Sequence, residues 1–383
     1  MKDETISPGT NASTERVMRA LAFEPPDTVP TFENFWEEFT LEWRRQKGFS
    51  PEGGDPRSPR GAPKDWDIFE YYGVDVRVAA ADETPWPSGA QSLSSDGVYT
   101  RQRDGWGRTS RTREGSYFSS LESPGMAPDN HDVGGLEFEP ADADGRYAEF
   151  EQVVAVERER RCVFAKVGGP FIRLSFVRGM EQWLLDLAAE QDFARELVER
   201  MVDHHIAIGL ESLQRGNLWS TGIWIFDDMC SQRGPMMSPR TFERVFLPAY
   251  VRMIDTFKSA GARYVCLHCD GDLRPLLPML VEAGIDAINP VQYSSGMKVG
   301  ELREQYGDRL AYVGGVDNVQ IMTSGTDREF THHMAELSAW AQEGGVVLGS
   351  HSIGVDIRID RYEAYHSTIR PGWSVPAWDT RGG

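Results

Sequence analysis

Cysteine is scarce in this chain. Four thiols, Cys162, Cys230, Cys266 and Cys269, in 383 residues are too few for a disulfide framework, and three lie in or beside apolar strand-like runs, which fits a reducing compartment. Positive charge is also short. Lys and Arg number 40 against 59 Asp and Glu, a formal net charge of −19, so neither a nucleic-acid backbone nor an anionic membrane is expected as the main partner. No apolar run approaches the length of a membrane span, and the opening MKDETISPGT is acidic where a signal peptide is basic and then apolar. The expectation is a cytoplasmic protein acting on a small molecule. Signature loops are missing as well: there is no GxGxxG after the first strand, no GxSxG, no Walker-type loop and no HExxH. Dinucleotide, serine-hydrolase, P-loop and zincin chemistry therefore lack their usual sequence support.

What is present is a large apolar fraction, 40% hydrophobic and 11% aromatic residues, enough to bury a sizeable core. Residues 1–12 are expected to be disordered and 13–383 to form a single domain. Ser13 or Thr14 can cap a helix through Phe23, and Asp27 to Phe32 reads as a first strand. A second strand is expected over Val74 to Ala79. From about 85 to 141 short polar and aromatic runs with many glycines replace the pattern, as in Val98-Tyr99-Thr100-Arg101, and predict a small β-rich excursion in the N-terminal half.

The second half alternates strand and helix. Strands are expected at Val163 to Gly168, Thr221 to Phe226, Arg263 to His268, Ile285 to Asn289, Leu310 to Gly314 and Val346 to Gly349. Helical pattern fills the gaps: Met180 to Gly209 with a break near Glu190, Ser238 to Ser259, Asp272 to Ala283, Val299 to Tyr306, Thr326 to Glu343 and Asp360 to Ile369. Counting from Val29, eight strands each leave room for a helix, which predicts an α/β fold, a (β/α)8 TIM barrel. An open doubly wound sheet is the competitor, but polar clusters recur after nearly every strand rather than at one switch point.

In a barrel those strand exits share one mouth. They carry Glu33 and Asn34, Asp75, Asp227 and Asp228, His268 and Asp270, Asn289 and Gln292, Asp317 and Asn318, and His351. His268, Asp270 and His351 form a candidate site of two imidazoles and a carboxylate with an open position, suited to zinc, another divalent metal or non-haem iron. Against it stands the ordinary role of a lone histidine as a hydrogen-bonded core residue. Strand alternation turns Cys269 inward as a buried thiol. Asp227 and Asp228 follow the apolar run Ile223-Trp224-Ile225-Phe226, and paired carboxylates there can supply a general acid or base; the alternative is that one caps a turn or pairs with Arg233. Glu33, Asn34, Trp36, Asn289, Gln292 and Asp317 are candidate substrate contacts. Gly314-Gly315 permits a tight turn or a close approach.

Taken in order, several segments resemble the uroporphyrinogen decarboxylase superfamily: Glu15-Arg16-Val17 through Asp27-Thr28-Val29-Pro30, Tyr72-Gly73-Val74-Asp75, Asp227-Asp228-Met229, His268-Cys269-Asp270-Gly271, Gly284 through Gln292, Gly314-Gly315-Val316-Asp317 and Ser350-His351-Ser352-Ile353. Within it the chain is similar to the corrinoid-dependent branch that includes methylcobamide:coenzyme M methyltransferases. The resemblance implies a (β/α) barrel with its site at the carboxyl mouth. It also implies a zinc held by a histidine and a cysteine in an H-x-C pattern plus a C-terminal cysteine, with a cobamide carried by a corrinoid partner protein. His268 matches the histidine, Asp270 stands at the second position, and the third falls at or next to His351, so oxygen and nitrogen replace both thiolates. A His/Asp/His set would be the stronger Lewis acid and less suited to activating a thiol, which makes polarising an oxygen of a methoxy or hydroxy compound, as in O-demethylation, or activating water, as reasonable an expectation as transfer to coenzyme M. The decarboxylase branch binds tetrapyrrole carboxylates through arginines in an "R-Q-A-G-R"-like segment, whereas this chain has Phe32-Glu33-Asn34-Phe35-Trp36.

The expected function is thus metal-dependent methyl transfer between a small substrate and a corrinoid or other acceptor. A metal-free decarboxylase or lyase acting on a small acid or tetrapyrrole-like compound is the alternative, and a non-catalytic corrinoid-binding module the second.

Overall fold

A computed structural model describes residues 11–49, 67–113, 119–350 and 352–373. They fall into two compact units, Met1–Arg77 with Gln152–Val163 and Asp286–Gly383, and Val78–Glu151 with Phe164–Ile285. The strands, in chain order, are β1 (Val76–Ala80), β2 (Gln91–Ser95), β3 (Tyr99–Arg103), β4 (Thr109–Arg113), β5 (Ser119–Ser123), β6 (Cys162–Gly168), β7 (Gly222–Phe226), β8 (Cys230–Ser231), β9 (Gly234–Pro235), β10 (Tyr264–His268), β11 (Ala287–Asn289), β12 (Ala311–Gly315) and β13 (Val346–Gly349).

In the first unit β11, β12 and β13 pair in parallel, with Ala287 opposite Ala311 and Tyr312 opposite Val346. The segment expected as the first strand enters the same ladder only through isolated bridges, Thr31 to Leu348 and Phe35 to Ile353. Pro30 has no amide to give, which shortens the pairing. On its other side the Thr31 carbonyl accepts from Asp75 and Val76, and the Asp75 carbonyl from Cys162. In the second unit β6, β7 and β10 continue the parallel arrangement, with Ala165 opposite Ile223 and Val265 opposite Ile223 on the far side. Seven parallel strands and the Thr31 segment make eight strand positions among the described residues. The fold is α/β, of the (β/α)8 TIM-barrel type.

Most central strand residues are buried, as in β7 and β12. Neither strand shows the polar–apolar alternation of a half-exposed sheet, as expected where helices cover parallel strands. The β-rich excursion is a four-stranded antiparallel sheet in the order β2-β3-β4-β5.

Helix ends follow local chemistry. The first helix, Ala12–Leu21, is capped by Asn11, whose side chain accepts from the Thr14 amide at 2.8 Å, rather than by Ser13 or Thr14; residues 11 and 12 are therefore ordered, while 1–10 lie outside the described residues. The expected break near Glu190 separates Met180–Ala189 from Gln191–Gly216, which ends on Asn217 in the left-handed region. The helix expected over Asp272 to Ala283 shrinks to Leu277–Glu282, because Pro275 and Pro278 withhold amides from a longer one. Among the described residues no helix is long and apolar enough to cross a membrane.

Candidate metal and active site

Two strand exits in the second unit supply the site. Ile223-Trp224-Ile225 is buried in β7 and delivers Phe226, Asp227 and Asp228 at its carboxyl end; Val265-Cys266-Leu267 does the same in β10 for His268, Cys269 and Asp270. In-register pairing sets His268 beside Phe226, and their rings stack at 4.4 Å with 15° between planes. The imidazole is held in one plane with its Nε2 turned to the carboxylates.

Asp228, His268 and Asp270 each offer a ligand atom within 4.8 Å of the other two. His268 Nε2 lies 3.6 Å from Asp228 Oδ1 and 3.8 Å from Asp270 Oδ1. Ligands about 2.1 Å from a tetrahedral metal stand roughly 3.4 Å apart, so the two His268 distances lie close to a coordinating spacing. Asp228 and Asp270 side chains are 44% and 40% exposed against 13% for His268, which leaves the carboxylate side open to an incoming molecule. The Asp270 amide donates to Asp228 Oδ1 at 3.1 Å and ties the two loops together. Two carboxylates and an imidazole suit a divalent cation of hard or borderline character. Sequence reasoning placed His268 and Asp270 among the ligands but gave Asp228 an acid–base role. His351 lies outside the described residues.

Asp227 behaves differently from its neighbour. It is fully buried, and its oxygens accept from the amides of Phe171 (3.1 Å) and Ile172 (2.7 Å) and from the Tyr250 hydroxyl (2.6 Å). Burial pushes its pKa up to about 6, against the pull of Tyr250 and the two amides. With its acceptors occupied, Asp227 anchors the start of the helix Pro170–Arg178 behind the site. Cys269 is buried, and burial first and Cys230 second push its thiol well above the usual range.

The remaining sequence candidates belong to the first unit. Glu33 is buried and accepts from the Ser350 amide (3.2 Å) and hydroxyl (3.1 Å). Burial raises its pKa to about 7, although Tyr365 and Ser350 both favour the charged form. Asn34 is exposed and Trp36 is 38% exposed. Asn289 is buried and donates to the Val313 carbonyl, and Gln292 is buried at the turn that follows. Asp317 accepts from the amides of Val319 and Gln320, both at 2.8 Å, so it shapes its own turn. Asp75, expected at the shared mouth, instead precedes β1 at the strand's amino end; buried there against Arg16 and Arg370, it belongs to a structural ion cluster. Gly314 serves backbone packing: a Cβ there would lie 1.7 Å from the Pro290 carbonyl oxygen.

Sequence reasoning missed Lys166, Glu83, Arg173 and His205, which gather beside the same exits. An isolated lysine inside the apolar run Cys162–Gly168 was the available signal. An open groove of about 690 Å³ bordered by His131, Glu190, Asp192 and Phe193 has no strand-exit residue in its lining.

The family model described as Uroporphyrinogen decarboxylase (URO-D) matches residues 138–371. No curated protein matches the chain. Among solved structures the chain is similar to a methyltransferase from Methanosarcina mazei, at 15% identity and a TM-score of 0.64, over 94% of this chain and 98% of that one. At that identity the likeness shows the fold.

Proposed function

The chain belongs to the uroporphyrinogen decarboxylase family, and on that premise we propose that it is a metal-dependent methyltransferase, moving a methyl group between a small, methoxylated substrate and a corrinoid or other acceptor. The observation that carries this reading is the convergence of Asp228, His268 and Asp270 within 4.8 Å at two adjacent strand exits. Asp228 and Asp270 would neutralise a divalent ion and His268 would fix its position, with zinc the candidate that best fits a mixed nitrogen and oxygen set. The metal, once bound, supplies Lewis acidity toward a substrate oxygen. Phe226 keeps the imidazole in plane, and Asp227 holds the β7 exit through the helix Pro170–Arg178. The solved neighbour of the same fold is a methyltransferase, which favours this activity over others the family could host. A cobamide would arrive on a partner protein, and four buried, unbridged cysteines suit a reducing setting such as the cytoplasm.

Decarboxylation is the second reading, favoured by the name of the matching family. It needs no metal, and it predicts carbon dioxide release from a small acid. Metal analysis divides the two. Purified protein is expected to carry about one equivalent of zinc or another divalent ion, and His268→Ala, Asp228→Ala and Asp270→Ala each to lose at least about tenfold in affinity for it. Metal-free protein that retains full activity would overturn the metal-dependent reading.

A further inference from the structure

The carboxyl end of β6 holds cationic groups that the metal candidate leaves unused. Lys166 is half-buried, hydrogen-bonds to no described residue, and keeps its Nζ 4.6 Å from the centroid of the Phe226 ring. Because β7 lies between β6 and β10, that ring separates the ammonium from His268, and Lys166 stands at the edge of the candidate reaction site. Behind it Arg173 pairs with Glu83 at 2.5 Å and packs against Trp106 and Phe176. Glu83 also accepts from the Gly168 amide and interacts with His205, which burial holds neutral with a pKa of about 3. Glu83 thus offsets one of the two cations. Asp228, the other acid that attracts Lys166, is given to the metal in the reading above. One positive charge is left without a hydrogen-bonded counter-charge at a half-buried position. A cation–π contact alone contributes only about 0.5–2 kcal/mol and leaves the ammonium's hydrogen-bond donors for an anion to use.

We propose that the substrate carries a carboxylate which seats on the Lys166 ammonium, with Arg173 behind it, next to the Asp228–His268–Asp270 centre. A single uncompensated charge suits a monoanion better than a dianionic phosphate. The inference rests on the reading that this mouth is the reaction site, and it narrows the substrate class to methoxylated carboxylic acids. Burial first and Arg173 second depress the lysine's pKa, and a bound carboxylate opposes both.

Isothermal titration of the full chain with 3-methoxybenzoate and its neutral isostere 3-methoxybenzamide tests this. Wild type is expected to bind the acid about tenfold or more tightly than the amide. Lys166→Met is expected to abolish that preference at unchanged circular dichroism and metal content, and Lys166→Arg to restore most of it. Equal binding of acid and amide by wild type, absence of binding included, overturns the proposal, as does a preference that survives in Lys166→Met or disappears under equimolar inorganic phosphate. If Lys166→Met does not fold, the wild-type comparison and Lys166→Arg decide. Turnover that survives chelation, in protein that keeps an acid preference removed by Lys166→Met, would sink the metal-dependent reading alone and leave the Lys166 seat standing.

Discussion

At the scale of single residues, neighbouring carboxylates have diverged by environment. Asp227 and Asp228 are adjacent in sequence, yet one is buried with its oxygens occupied and the other is nearly half exposed beside an imidazole. Pattern alone identified the pair but not which member reaches the site, because that depends on Tyr250 and on the Phe171 and Ile172 amides, far away in sequence. His268 and Asp270 were legible because they end an apolar run. Glu33 offers a test by pH. A glutamate ordinarily titrates near 4.5, whereas buried Glu33 keeps its proton up to about 7. Between those values the folded state binds more protons than the unfolded one, so the stability contributed by the neutral carboxyl is lost as pH rises through about 7. The loss is on the order of 3 kcal/mol. Urea midpoints at pH 4.5 and 8 should therefore fall more steeply for wild type than for Glu33→Gln; parallel profiles would refute the account of this residue.

At the scale of elements, repetition made the fold readable. Most parallel strands are short apolar runs closed by polar residues, and the six strands expected in the second half all appear within two residues of their expected limits. The Thr31 segment was harder to read, because Pro30 weakens a strand that tertiary pairing with Leu348 still recruits. The helix after Asp272 was overextended for the same reason, since two prolines interrupt an otherwise helical pattern. Gly314 shows how strand ends are held: it has φ +122°, and an added Cβ would meet the Pro290 oxygen at 1.7 Å. Gly314→Ala is expected to cost about 3 kcal/mol or more through strain and steric overlap. Gly145→Ala, with nothing within 4 Å of the added atom, should change stability by no more than about 0.5 kcal/mol. Equal thermal midpoints for the two variants would show that the β12 exit is less constrained than described.

For the whole molecule, an acidic surface and a barrel-type fold describe a scaffold rather than a reaction, since one fold hosts many chemistries. Against a net charge of −19, two cations side by side at one strand, Lys166 and Arg173, are the more distinctive, because a carboxylate substrate must be drawn in against the surrounding field. What the sequence left hidden is this grouping of Lys166, Arg173, Glu83 and His205, which lie far apart along the chain and meet only through the fold. Metal-dependent methyl transfer at Asp228, His268 and Asp270 is read out by the absorbance change of cob(I)alamin mixed with protein and 3-methoxybenzoate. Conversion to methylcobalamin is expected with metal-replete wild type and should fall at least about a hundredfold in His268→Ala or after chelation. A rate unchanged by either treatment, or carbon dioxide release with no methylation of the cobalamin, would contradict it.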